Sequence, residues 1–203
     1  SYNKKITVSS DKSISIRWAL IASQAIGKSK ASNLLISEDV LSALNCLKKL
    51  GIKMNLNKKK QTCEIFGNGI NGFNYKKNIT LNANNSGTLA RLICGLLVKA
   101  KNKIKIIGDK SLSRRDFSRV IQPLNKFGIN FYPRFKKNLP LSIQGTDFLR
   151  PIQFQEKKGS AQVKSMLIFA AMNTPGTTII HAKKSRDHTE KFLKYLKTPI
   201  KII

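Results

Sequence analysis

The sequence predicts an α/β (α+β) domain made of three quasi-equivalent units, and three observations carry that expectation. The segments DKSISIRWALIASQAI (Asp11 to Ile26), NNSGTLARLICGLLVKA (Asn84 to Ala100) and KGSAQVKSMLIFAAMN (Lys158 to Asn173) share one pattern: a small polar turn, a serine, a basic residue four or five positions on, then an apolar helical run. The serines, Ser13, Ser86 and Ser160, are spaced by 73 and 74 residues. Each segment is followed by a second shared one, with a β-like run, a polar turn holding an acidic residue, and an amphipathic helix.

In chain order, each unit reads strand, helix, strand, helix, strand, strand. The first helices are apolar nearly all round, since ALIASQAI, LARLICGLL and MLIFAAM leave little polar face, and such helices are buried ones. The second helices follow Asp39, Asp116 and Asp187 in LLISEDVLSALNCLKKLGIKM, IIGDKSLSRRDFSRVIQPLNKFGINF and IIHAKKSRDHTEKFLKYL, whose opening LLIS, II and II runs read as strands. Two of these helices end at Leu50-Gly51 and Phe127-Gly128, where glycine suits the left-handed residue after a helix, and extended IKM and INF follow. The closing strands fall near Thr62 to Gly67 and Leu139 to Gly145, and the third unit lacks them. The expected units cover about residues 1–70, 71–147 and 148–203 of a single domain that is incomplete at both ends. A serine at position 1 and the apolar ending KTPIKII carry the same expectation of a piece of a longer protein.

Units of about 70 residues are too long for common solenoid repeats and fit a threefold arrangement around buried parallel helices. Three such helices bring three serine-bearing N-termini to one face, with their dipoles aligned, and that face attracts anions.

Composition narrows the function classes. With 203 residues, 41% of them hydrophobic, the chain can bury a core, which excludes a mainly disordered or fibrous protein. The formal charge of +28 puts acidic partners first: nucleic acid, a membrane surface or anionic metabolites. Thirty of the 38 basic residues are lysine, a bias that AT-rich codon usage also produces without any function. No apolar run approaches the ~18 residues of a membrane span and no signal peptide opens the chain, so a cytoplasmic protein without a membrane partner is expected. Cys46, Cys63 and Cys94 form no CxxC, and His181 and His188 have no third ligand nearby in sequence, so no metal site is expected and the thiols read as reduced and structural.

The chemistry-bearing residues cluster at helix starts. Lys12, Ser13 and Arg17 put an ammonium, a hydroxyl and a guanidinium at the first, with Ser13 and Arg17 one turn apart. Asn85, Ser86, Gly87 and Thr88 with Arg91 repeat the scheme, the glycine allowing close backbone approach to a ligand. Arg114 and Arg115 precede the helix after Asp116, and at least one of them can point to the same face. Ser160, Ala161, Gln162 and Lys164 form the third start, and Gln162 can both donate and accept between two anions. Ser185, Arg186, Asp187 and His188 open the last helix. Neither GxxxxGK[ST] nor GxGxxG occurs, so nucleotide loops of those kinds are not supported. Taken singly, each start is no more than a capped helix with solvated cations; their recurrence at one phase of three repeats is the signal.

DKSISIR, NNSGTLAR, GDKSLSRRDF and GSAQVKSMLIFAA…SRDHTEKFL, in this order and spacing, closely resemble the N-terminal half of the 5-enolpyruvylshikimate-3-phosphate synthase family, the 3-phosphoshikimate 1-carboxyvinyltransferases. The resemblance implies one of two domains of three βαβαββ units each, with substrates in the cleft between the domains. It implies transfer of the enolpyruvyl group of phosphoenolpyruvate to the 5-hydroxyl of shikimate 3-phosphate, in the shikimate pathway to chorismate and the aromatic amino acids, with no metal or organic cofactor and a full-length monomer. By position, it implies that Lys12 contacts both substrates. Ser13, Arg17, Ser160, Ala161, Gln162 and Arg186 are implied to bind shikimate 3-phosphate. Asn85, Gly87, Arg115 and Gln162 are implied to bind phosphoenolpyruvate. The general base is expected in a second half, so this part alone is expected to be inactive. Departures from the family pattern are Asn84 where the first glycine of the GN[AS]GT loop is usual, Ile16 before Arg17, and Asp116 after Arg115.

Two other readings compete. UDP-N-acetylglucosamine enolpyruvyl transferase shares fold and chemistry, but usually carries a reactive cysteine in the loop matching Gly108 to Arg115, where none stands, and a Lys-Asn pair where Lys12-Ser13 stands. A basic nucleic-acid-binding domain would need aromatic platforms or a basic recognition helix, and the aromatic residues are scattered.

Overall fold

The first buried helix, α1 (Lys12–Ser23), is capped by Asp11, whose Oδ1 accepts from the Ile14 amide at 2.7 Å. Ser13, the expected start, instead lies within the first turn. The structure is a computed structural model describing residues 9–202; the strand expected ahead of α1 lies outside the described residues.

The strand expected in Leu34 to Ser37 is not there. The chain forms β1 (Ile26–Ala31) earlier, and residues 34–37 are irregular backbone. Leu34 is buried and donates its amide to the Gln61 carbonyl, while the Leu35 amide donates to Ser15 Oγ. The apolar run is thus a plug under a loop, whereas β1, with Gly27 and two lysines and no buried residue, lacks the alternation that marks a strand. Ser37 caps α2 (Glu38–Lys49), with Glu38 and Asp39 in its first turn and Lys48 and Lys49 in its last, both favourable to the helix dipole. Gly51 follows at φ +86°, as expected, and leads into β2 (Lys53–Asn57) and β3 (Thr62–Asn68). β3 pairs antiparallel with both neighbours, giving the order β1-β3-β2.

The second unit is complete: β4 (Thr80–Asn82), α3 (Gly87–Leu96), β5 (Ile104–Ile107), a short α4 (Lys110–Ser113), α5 (Ser118–Lys126), β6 (Asn130–Tyr132) and β7 (Leu141–Gln144). Gly128 stands after α5 at φ +103°. The sheet order is β4-β5-β7-β6, the first unit's order with its first strand added, and β4 and β5 run parallel because α3 is the crossover between them. The third unit contributes β8 (Gln153–Glu156), α6 (Ala161–Met172), β9 (Ile179–Ala182) and α7 (His188–Tyr195), with β8 and β9 parallel.

The core is the helix layer that the apolar runs predict. Ile16, Ala19 and Leu20 of α1, Leu89, Ala90 and Leu92 of α3, and Met166, Leu167 and Phe169 of α6 are all fully buried. Removing each of the larger side chains from water contributes about 1.5–3 kcal/mol. α3 and α6 run in the same sense: Gln162 meets Thr88 at their N-terminal ends, and one to two turns later Gly95 lies against the Met166 carbonyl. A β-carbon at Gly95 would sit 2.2 Å from that oxygen, so glycine sets the helix separation. Among the described residues, no helix is long and apolar enough to cross a membrane.

Candidate functional site

The parallel buried helices bring their N-terminal turns to one end of the domain, where three seams join the units. Between units two and three, Arg91 Nη1 donates to Gln162 Oε1 at 2.7 Å, and Gln162 Nε2 donates to Thr88 Oγ1 at 2.9 Å. Between units one and three, Arg17 donates from Nε to Thr189 Oγ1 (2.9 Å) and from Nη2 to Ser165 Oγ (3.1 Å). Between units one and two, Asn84 Nδ2 donates to Ser42 Oγ at 2.8 Å.

Around the first helix start, Lys12 and Arg17 differ in character. Lys12 is exposed and its Nζ lies 2.6 Å from Asp39 Oδ2 of α2. Arg17 is only 2% exposed, and its Nη1 also donates to the Ser13 carbonyl and to Ser13 Oγ. Burial pulls its guanidinium below the ordinary value, opposed by Glu190 and Asp11, with Arg186 nearby adding to the depression. Arg17, expected as an anion ligand, is thus also a tie between helices of two units.

At the second start, Ser86 caps α3 by accepting from the Leu89 amide. Asn84 adopts φ +48°, the left-handed conformation to which asparagine is the side chain best suited after glycine. Asn85 Nδ2 donates to Asp109 Oδ2 at 2.5 Å, and Asp109 in turn caps α4. The Asn85 bond and the Leu112 amide hold the Asp109 carboxyl below its ordinary value. This fastens the loop bearing Arg115 onto the loop bearing Gly87. A β-carbon at Gly87 would meet Arg115 Nη1 and Arg91 Nη1, each at 2.9 Å, so two guanidinium groups converge over that glycine. Of the pair Arg114 and Arg115, it is Arg115 that faces this site. Burial lowers the Arg91 guanidinium, and Arg115 and Arg119 beside it lower it further. Among the described residues, neither Arg91 nor Arg115 has a carboxylate within ion-pair distance.

At the third start, Ser160 caps α6 through the Val163 amide, and Ala161 and Gln162 begin the helix. Lys164 is not free: its Nζ lies 2.5 Å from Glu190 Oε1, with 13% and 9% of the side chains exposed. Arg186 is exposed just before α7, close enough to act on Arg17. Ser185 Oγ beside it and His188 Nδ1 are buried without a hydrogen-bond partner among the described residues.

The expected site residues therefore gather at one end, although Arg17 is buried. The ties are not expected from the sequence: Arg91 is expected as the cation of the second helix start but not as the partner of Gln162, and Ser165, Thr189 and Glu190 carry no expectation. A hydroxyl inside an otherwise apolar buried helix, as Ser165 is, must find a partner, and that is the signal that could have pointed to it. His181 lies 3.1 Å from Gln153 Nε2, and no group of three metal-ligating side chains occurs among the described residues. Cys46, Cys63 and Cys94 are buried and unpaired, with burial pushing their thiols up to about 12, 11 and 12.

The whole chain is similar to known proteins in sequence and in fold. Residues 1–203 match the family described as EPSP synthase (3-phosphoshikimate 1-carboxyvinyltransferase). A 3-phosphoshikimate 1-carboxyvinyltransferase of Petrotoga mobilis is 42% identical over 196 residues, covering 95% of this chain and 45% of the relative. One of Caldicellulosiruptor saccharolyticus is 40% identical, covering 94% and 43%. The solved EPSP synthase of Acinetobacter baumannii superposes with a TM-score of 0.90 at 32% identity, over 98% of this chain and 45% of that one. The chain thus spans a little under half the length of the relatives it matches. With the repeat order, the three helix starts and the whole-chain match all agreeing, the chain belongs to the EPSP synthase (3-phosphoshikimate 1-carboxyvinyltransferase) family.

Proposed function

We propose that this chain is the N-terminal part of an enzyme that transfers the enolpyruvyl group of phosphoenolpyruvate to the 5-hydroxyl of shikimate 3-phosphate and releases phosphate. The observation that carries the reading is the pair of guanidinium groups, Arg91 and Arg115, over Gly87 beside Gln162, with no carboxylate ion-paired to either among the described residues. Cations held together against their mutual repulsion are an anion site, and a planar fork suits phosphate and carboxylate. The proposed units are residues 1–70, 71–147 and 148–203, and a second domain, beyond this chain, closes the site.

In this reading, Asn85, Gly87 and Arg115 hold phosphoenolpyruvate, and Ser13, Ser160, Ala161 and Arg186 hold shikimate 3-phosphate. Arg17 belongs to the second group and also fixes Ser13, and Gln162 and Lys12 lie between the two substrates. Protonation of the methylene of phosphoenolpyruvate gives its C2 cationic character, and the 5-hydroxyl adds there as a base takes its proton. Loss of phosphate and of the proton first added then restores the double bond. Lys12 and Arg115 stabilise the anionic groups throughout. The base belongs to the second domain, so the chain alone does not turn over. The proposal includes a monomeric, cytoplasmic enzyme needing no metal or organic cofactor.

The loop Gly108 to Arg115 contains no cysteine, which favours this substrate over a UDP-sugar. The test is phosphate release by the full-length protein from phosphoenolpyruvate, with shikimate 3-phosphate and with shikimate as acceptors. Release that requires the phosphorylated acceptor and fails in Lys12→Ala supports the reading; no release with either acceptor refutes it.

A further inference from the structure

The connection from β8 to α6 is folded around a carboxylate. Glu156, the last residue of β8, is 4% exposed. Its Oε2 accepts from the Ser160 amide at 2.8 Å, and its Oε1 from the Lys158 amide at 3.2 Å and from Arg119 Nη2 of α5 at 2.8 Å. Gly159, at φ +68°, lets the chain turn back over the carboxylate. Ser160, whose amide is one of the bound donors, is the cap of α6.

A buried carboxylate is a costly way to fill space, and an apolar side chain of similar volume would avoid its desolvation. What an apolar side chain cannot do is fix the direction of backbone N–H groups. Both oxygens of Glu156 are satisfied: backbone amides of the loop donate to it, and the Arg119 bond reaches another unit. We infer that Glu156 is a positioning residue: its carboxylate holds the Lys157–Ser160 loop, and with it the first turn of α6, in the orientation in which Ser160, Ala161 and Gln162 meet the phosphorylated substrate. Arg119 ties that orientation to α5, which follows the loop carrying Arg115, so the two halves of the anion site are set against each other. The identity of the substrate rests on the function proposed above; the ordering of the loop does not.

Two measurements on the full-length protein test this separately. Amide hydrogen exchange compares the wild type with Glu156→Gln, which opposes an NH2 group to the bound donors, and with Glu156→Asp, which withdraws the carboxylate by one methylene and is the milder change for folding. Exchange at Lys158 and Ser160 is expected to quicken about tenfold or more while Leu167 and Phe169 stay protected. Steady-state kinetics are expected to show KM for shikimate 3-phosphate raised about tenfold in Glu156→Gln and less in Glu156→Asp, with a clearly smaller rise, about threefold, in KM for phosphoenolpyruvate, which meets that turn through Gln162 alone. Unchanged exchange at Lys158 and Ser160 overturns the inference. So does faster exchange with both KM values rising by the same factor, which is what mere loss of stability does. If the wild type itself shows no turnover, the proposed activity fails, and the exchange result still decides whether Glu156 orders the loop.

Discussion

Arg91 on α3 and Gln162 on α6 are joined by a 2.7 Å hydrogen bond across two units whose sequences are 71 residues apart. Gln162 faces the cation with its oxygen and Thr88 with its nitrogen, so its orientation is fixed from both sides. Replacing it by glutamate sets a full negative charge against Arg91 and neutralises the site that an incoming anion would use. Gln162→Glu is expected to weaken phosphoenolpyruvate binding by more than Gln162→Ala does, with about tenfold or more between them, as read by calorimetric titration of the full-length protein. Equal losses would show that only the amide's contacts matter.

Gly87 and Gly95 lie in the same helix and should respond differently to alanine. At Gly87 the new β-carbon meets the far ends of two flexible side chains; at Gly95 it meets the Met166 backbone oxygen at 2.2 Å and Phe169 Cβ at 3.1 Å. Gly95→Ala is expected to destabilise by about 3 kcal/mol or more, because neither helix can retreat without opening the core. Gly87→Ala should leave the melting temperature nearly unchanged and raise KM for phosphoenolpyruvate about tenfold, by displacing Arg91 and Arg115. Thermal unfolding and steady-state kinetics of the two variants check both halves.

Arg17 gives a prediction about stability more than affinity. Arg17→Met removes donors to Thr189 and Ser165 in a place closed to water, and should cost about 2–4 kcal/mol in denaturant unfolding. A loss under about 1 kcal/mol would mean that the hydroxyls satisfy each other through the 2.8 Å Thr189–Ser165 bond already present.

Acid should release the Glu156 loop. Burial alone would raise this carboxyl, but the Ser160 amide, Arg119 and the Lys158 and Gly159 amides outweigh it, and the group titrates below its ordinary value of 4.5. A carboxyl depressed on folding contributes stability that is fully present above its unfolded value and is lost as pH falls through the folded one. The stability difference between wild type and Glu156→Gln is therefore expected to be constant from neutral pH down to about 5 and to shrink below about 4.5. A difference that stays constant down to about pH 3 would contradict the charged form.

What the sequence made legible follows from what local patterns encode. Apolar period and spacing were enough for the helices, the glycine stops at Gly51 and Gly128, and the closing strands β3 and β7, because those depend on neighbours along the chain. The LLIS run has the pattern of a strand without being one, because an apolar stretch signals burial, and burial under a loop looks the same as burial in a sheet. The cap of α1 passed to Asp11 because an aspartate two residues before Ser13 reaches the Ile14 amide first. Arg17 is expected as an anion ligand from its place one turn after Ser13 and from the family resemblance; only the fold shows that Thr189, 172 residues away, also holds it. Long-range partners of this kind have no local signature.

The three seams at the helix N-termini form a closed circuit, one to three, three to two and two to one. In a linear repeat array a terminal unit can fray while the rest stays folded; here every unit is fastened to both others on the same face. Mechanically, that face behaves as a hoop: strain entering at one joint is shared by all three. Any hinge used to enclose ligands must then lie outside the hoop, and the helix ends travel together as a single jaw.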